Sequence, residues 1–249
     1  MRNKICFLSG NMLKVLAAVF MTIDHIGVLI FPRVALLRYI GRLAYPIFAF
    51  MIAEGARYTK NKVRYLGLIA GLAFICQLVY YFFDNGSLYM CILVTFSLSI
   101  VLIYAMQYMK RRLFSTEASA VNKIISILIF LSLLTLVYFL NEWLTIDYGF
   151  LGCVAPVFAS LFDFRGVEAP RLLSALDNLY LRIGAFGIGV LLLAIETGGA
   201  QYLSLLALPL LLLYSGKRGR LKMKYFFYLF YPLHLVALEG IYILIHLFK

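Results

Sequence analysis

The feature that most limits this chain is a recurrence. Apolar stretches of about 20 residues, the length a helix needs to cross bilayer hydrocarbon, return along almost its whole length. Within hydrocarbon the backbone has no water to bond with, so a spanning segment must be a helix or part of a closed barrel. The spacing predicts spans at 12–32, 37–57, 65–83, 88–109, 124–141, 148–163, 179–195, 201–214 and 225–248. The expected architecture is therefore an all-α polytopic membrane bundle of nine helices, a single transmembrane domain over 1–249. Composition agrees: 64% of the 249 residues are hydrophobic and 14% charged, against about a quarter charged in an ordinary globular chain. Mean hydropathy is +0.94. A soluble core of this size has no room for so much apolar surface. Asp84-Asn85-Gly86 marks a turn between the third and fourth spans, and Thr197-Gly198-Gly199 hinges the seventh to the eighth.

Lys and Arg number 23 and Asp and Glu 11, a net charge of +12. In a soluble chain such an excess points to nucleic acid. Here the bases sit between apolar stretches, as the positive-inside bias requires, so no nucleic-acid partner is expected. With Arg2 and Lys4 cytoplasmic, the inner loops are 58–64, 110–123, 164–178 and 215–224. Three of them are densely basic. The outer loops instead carry Asp84, Glu142, Asp147 and Glu196. In 164–178, Arg165 and Arg171 are balanced by Glu168 and Asp177. The expected location is the inner (cytoplasmic) cell membrane, multi-pass, with the N-terminus inside. The first apolar segment lacks a small-residue cleavage site and is expected to remain as an anchor. Cys6, Cys76, Cys91 and Cys153 form no CxxC pair and are expected as buried thiols.

An ionisable group near the bilayer centre costs about 2.5–3.5 kcal/mol on insertion scales, so such groups are candidates for function. Asp24 and His25 lie near the middle of the first span, Arg42 and Glu54 in the second, His234 and Glu239 in the ninth. At 1.5 Å per residue, Asp24 lies about 3 Å and Arg42 about 7 Å outward of their span centres. That depth match predicts an Asp24–Arg42 ion pair, which either locks the first hairpin or belongs to a site. Adjacent residues point about 100° apart on a helix, so Asp24 does not orient His25. His25 remains a candidate general base, and His234 is a second imidazole at comparable depth. His246, near the outer end of the last span, is expected at the interface. The 21 Phe, 18 Tyr and single Trp read mostly as packing and interfacial anchors. Gly67 with Gly71, and Gly184, Gly187 and Gly189, are expected to allow close helix approach.

The inner bases have two readings. Topology alone accounts for them, or Arg57, Lys60, Lys217 and Arg218 also clamp a polyanion such as the phosphates of coenzyme A.

Several motifs run in a fixed order. Leu8-Ser9-Gly10-Asn11-Met12-Leu13-Lys14 leads to Ile23-Asp24-His25-Ile26-Gly27. Arg38-Tyr39-Ile40-Gly41-Arg42-Leu43-Ala44-Tyr45-Pro46 follows, then Glu54-Gly55, Asp147-Tyr148-Gly149 and Gly216-Lys217-Arg218-Gly219. The chain closes on Tyr228-Leu229-Phe230-Tyr231-Pro232-Leu233-His234-Leu235. Across nearly its whole length this succession resembles the TraX family, named for the conjugation-associated protein that acetylates the pilin N-terminus. The resemblance implies an integral membrane acetyltransferase, similar in plan to the wider membrane acyltransferases that use cytosolic acetyl-CoA. It makes His25 the catalytic candidate, with Asp24 and Arg42 beside it and His234 lining the same cavity.

The expected function is transfer of an acyl group, acetyl first, from acyl-CoA to an amine or hydroxyl on a protein N-terminus, glycan or lipid. His25, Asp24 and His234 form the expected catalytic set. Arg42, Arg38, Glu54, Asn11, Lys14, Arg57, Lys60, Lys217 and Arg218 form the expected substrate and CoA set. The expected partners are membrane lipid, the acyl-CoA donor and the acceptor, and no metal is expected. The alternatives are a small transporter or channel in which Asp24, His25, Arg42 and Glu239 relay a proton or ion, and a scaffold without chemistry.

Overall fold

The structure is a computed structural model that describes residues 6–83, 88–220 and 223–247. The Asp84-Asn85-Gly86 turn, the terminal bases Arg2 and Lys4, and the His246 side chain lie outside what it describes. The helices are α1 (Gly10–Leu29), α2 (Ala35–Gly41), α3 (Ala44–Tyr58), α4 (Lys62–Phe83), α5 (Ile92–Phe114) and α6 (Ala120–Trp143). They continue as α7 (Gly149–Phe158), α8 (Arg171–Ala175), α9 (Leu179–Thr197), a 3₁₀ helix (Gly199–Leu206), α10 (Ala207–Leu212) and α11 (Lys224–Leu247). No β-strand occurs among the described residues. The protein is an all-α polytopic membrane protein.

Every expected span falls on helix, but not every one is a full crossing. Among the described residues six segments are long and apolar enough to cross: Gly10–Leu29, Ala35–Tyr58, Lys62–Phe82, Ile92–Phe114, Ala120–Trp143 and Leu179–Thr197. The second of these is broken, because α2 ends at Gly41 and α3 begins at Ala44. The expected span 148–163 is reduced to α7, whose 10 residues cover about 15 Å, half the hydrocarbon thickness. The expected span 201–214 is a 3₁₀ helix followed by six α-helical residues.

The chain forms two compact units, each gathered from separate segments. One comprises Met1–Met51, Phe74–Ser87 and Ala194–Lys249; the other comprises Ile52–Ala73 and Leu88–Leu193.

In the first unit, α1 is capped and clasped at its start. Ser9 accepts at its Oγ from the Met12 amide, and the amides of Gly10 and Asn11 donate to the carbonyls of Lys217 (2.8 Å) and Arg218 (2.9 Å). The Leu8 amide donates to Leu213, and Ser215 donates back to Leu8. The helix's orphan amides are thus met by the basic loop itself. Gly219 completes the clasp with φ 99°, where a Cβ would lie 2.8 Å from Ser9 Oγ. Further along, α2 lies directly on α1. A Cβ on Gly27 would meet Leu37, and one on Gly41 would overlap the Asp24 carboxylate.

In the second unit, α5 packs against α6 and α7 and directs its polar residues inward. Thr95 donates to the Asp147 carbonyl (2.6 Å) and Ser99 to Cys153 (2.8 Å). Because α7 stops early, the carbonyls of the turn that follows it must be answered inside the protein. Lys110 Nζ donates to the carbonyls of Ser160 and Leu161 (both 2.6 Å), and Arg182 Nε to that of Ala159 (3.2 Å). Both cations also suit the negative end of the helix dipole. Around them Arg182 pairs with Glu54. Arg57 reaches Asp163 and Asp177, each at 2.7 Å. Of the small-residue motifs, Gly189 bears out close approach, since a Cβ there would come within 3.0 Å of Ala155 Cα. The Gly67/Gly71 pair and Gly184 do not, because a Cβ at each meets no described atom within 4 Å.

Arg182 and Glu54 are 3% and 5% exposed, so removing one partner strands a buried charge. Arg182→Met is expected to lower stability by about 3–5 kcal/mol, and adding Glu54→Leu to recover most of it. Thermal unfolding in detergent checks this; equal losses in the single and double variants contradict it.

Candidate functional site

Two imidazoles from opposite ends of the chain meet in the first unit. His234 Nε2 lies 3.2 Å from His25 Nδ1, with ring centroids 5.1 Å apart. His234 is held from below by its own helix: Nδ1 is 3.0 Å from the Phe230 carbonyl, and the ring stacks on Phe230 at 5.1 Å and 3°. These contacts fix the tautomers of a neutral pair. A carbonyl only accepts, so His234 Nδ1 carries the hydrogen and its Nε2 presents a lone pair. His25 Nδ1 must then donate to that lone pair. His25 also donates to the Met21 carbonyl one turn back on α1; with the hydrogen on Nδ1, its Nε2 carries the lone pair that a general base requires.

Asp24 does not make the expected pair with Arg42. Its carboxylate is taken by Arg38. The depth arithmetic assumed one continuous second helix, and the break between α2 and α3 invalidates it. Packing of α2 on α1 sets Gly41 against Asp24, and Arg38, one turn before Gly41, turns onto the carboxylate. Arg42 points away and donates to Gln201 Oε1 at 3.2 Å, although its charge still lies within electrostatic range of Asp24.

The other sequence-derived candidates divide. Lys14 sits 5.8 Å from the Phe227 ring centroid, and Lys217 and Arg218 are exposed on the loop that clasps α1. Asn11 is buried at that clasp, with its amide on the Arg218 carbonyl. Beside it a groove of about 580 Å³ is lined by Leu8, Asn11, Met12, Val15, Arg220 and Met223 among others. Glu54, Arg57 and Lys60 belong to the second unit. Lys60 is exposed. Glu54 and Arg57 are committed to Arg182, Asp163 and Asp177, so the structure makes them parts of an internal ionic network instead of a phosphate clamp. The reason is the short α7, which brings buried carbonyls and carboxylates to the place where an open basic loop was expected.

Arg182 is legible in the sequence as a charge inside the apolar span 179–195. Gln201 and Ser204, buried on the 3₁₀ helix, carry no charge and gave no such signal.

A double-mutant cycle separates the two possible partners of Asp24. Asp24 with Arg38 is expected to show a coupling of about 1 kcal/mol or more in thermal unfolding, and Asp24 with Arg42 a smaller one. The reverse order would restore the pairing expected from depth alone.

Comparison with known proteins adds a family to this geometry. The chain is 28% identical over 257 residues to "Probable fimbrial assembly protein FimC, serogroup H1" of Dichelobacter nodosus, an alignment covering 92% of this chain and 94% of that protein. It is 44% identical over 54 residues to "Uncharacterized protein RP591" of Rickettsia prowazekii; that match covers 22% of this chain and 21% of the relative. No solved structure matches the chain. The TraX protein family matches residues 9–242, from the Ser9 cap of α1 to a point eight residues beyond His234, and the chain belongs to the TraX family.

Proposed function

We propose that this protein transfers an acyl group, acetyl first, from cytosolic acyl-CoA to an amine or hydroxyl acceptor at the inner membrane, with its N-terminus cytoplasmic. The observation that carries the reading is the imidazole pair, in which one ring fixes the tautomer of the other and leaves His25 Nε2 as a free base. Membership of the TraX family and likeness to a protein named for fimbrial assembly support a surface-fibre subunit as the first acceptor to try.

Lys217, Arg218 and Arg220 offer charges for the phosphates of the donor, and the groove beside Asn11 offers an apolar path for its arm. From Asn11 to His25 is about 21 Å along α1 at 1.5 Å per residue. His25 Nε2 takes the proton of the acceptor as its nitrogen or oxygen bonds to the thioester carbonyl carbon. When the carbon–sulfur bond breaks, the imidazolium returns that proton to the departing thiolate. His234 accepts from His25 Nδ1 and stabilises the transient positive charge.

Membranes from cells making the protein, incubated with labelled acetyl-CoA, are expected to yield a labelled product identifiable by mass spectrometry. His25→Ala is expected to slow labelling by about 10²- to 10⁴-fold, and His234→Ala to lower kcat while changing KM little. Undiminished turnover in His25→Ala removes it as the base. Proton uptake into proteoliposomes without acetyl-CoA, and no labelled product, would make the protein a transporter instead.

A further inference from the structure

The ionic groups of the two units differ in a way that the proton transfer at His25 does not use. In the second unit Glu54 pairs with Arg182, and Asp163 and Asp177 pair with Arg57, while Lys110 donates to the backbone carbonyls of Ser160, Leu161 and Asp163. In the first unit Arg38 takes the Asp24 carboxylate, and Arg42 lies within electrostatic range of it without pairing. Among the described residues Arg42 forms no ion pair, and its guanidinium meets only a neutral amide oxygen, Gln201 Oε1 at 3.2 Å. Arg42 is half-buried, and its fork carries N–H donors beyond the one that Gln201 accepts.

A second observation lies beside it. Gln201 and Ser204 are 2% and 0% exposed, yet among the described residues Gln201 Nε2 and Ser204 Oγ have no hydrogen-bond partner. Arg42 fixes the amide orientation: the oxygen must face the guanidinium, so both N–H donors face elsewhere. Residues three apart on a 3₁₀ helix eclipse one another, which puts the Ser204 hydroxyl on the same face as Gln201. Each such stranded donor costs about 1–3 kcal/mol, a cost that a ligand taking up both donors would remove.

We infer that Arg42, Gln201 and Ser204 form a receptor for an anionic group, a carboxylate or a phosphate, carried by the acyl acceptor. Assigning the anion to the acceptor rests on the acyl-transfer reading. The phosphates of the donor are not the ligand, because the basic loop clasps α1 at Gly10, about 21 Å along the helix from Asp24. The forked guanidinium takes two oxygens of the anion, and the amide and hydroxyl add neutral donors without excess charge.

The test is thermal unfolding of the purified full chain in detergent with two anionic probes, N-acetylglycine and glycerol 3-phosphate. Their neutral counterparts are N-acetylglycinamide and glycerol, and acetyl-CoA is titrated separately. A saturable rise in Tm is expected from one anionic probe and not from its neutral counterpart, and the responding probe tells carboxylate from phosphate. Arg42→Gln and Gln201→Leu are each expected to weaken that response at least about tenfold, and Ser204→Ala to weaken it less. Gln201→Glu places a carboxylate on Arg42 internally, so it is expected to raise the ligand-free Tm and abolish the response to the anion. The shift caused by acetyl-CoA is expected to survive in all four variants. No anion response in the wild type, or an equal response in Arg42→Gln and Gln201→Glu, overturns the receptor and leaves acyl transfer standing. An anion response without any acetyl-CoA shift counts against acyl transfer and leaves the receptor standing.

Discussion

In hydrocarbon there is no solvent to receive a stray hydrogen bond, so each polar group withdrawn from water must be answered by another group of the protein. That requirement explains the least helical parts of this chain. α7 is about half as long as bilayer hydrocarbon is thick, and the carbonyls of Ala159, Ser160 and Leu161 just beyond it recruit Arg182 and Lys110. Arg182 brings Glu54 with it, Lys110 also reaches the Asp163 backbone carbonyl, and the Asp163 carboxylate shares Arg57 with Asp177. The resulting network is a consequence of a helix that stops early. It is closed in charge, which suits a structural part.

The first unit meets the same requirement by a different route. Glycines at Gly27 and Gly41 let α2 lie against α1 without intervening side chains. The register this sets decides which arginine meets Asp24, and it leaves Arg42 turned to the 3₁₀ helix and Gln201. Close backbone contact and the break at Arg42–Leu43 therefore do more to arrange the site than any one ion pair. The clasp of α1 by the Lys217–Gly219 loop acts at the other end of the same helix, with backbone carbonyls in the place of a ligand.

Between these two ends stands the imidazole pair. His25 and His234 are 209 residues apart in sequence, and one Phe230 carbonyl is enough to dictate where both protons reside. The TraX family match extends past the second of them. The proposed base, His25 Nε2, and the proposed anion receptor at Arg42 are different parts of the same unit.

Much was legible from the amino-acid order. Hydropathy and length identified an all-α membrane protein, because the cost of unpaired backbone in lipid permits little else. The mid-span positions of Asp24, His25, Arg42 and His234 marked them as unusual, since ionisable groups there are expensive. Partnership was not legible, because depth along an axis says nothing about rotation around it or about breaks in the helix. Asp24 therefore found Arg38, Arg57 found Asp163 and Asp177, and Glu54 found Arg182. Gln201 and Ser204 emerged only from the folded chain: an uncharged side chain becomes conspicuous when packing removes water from it and supplies nothing in return.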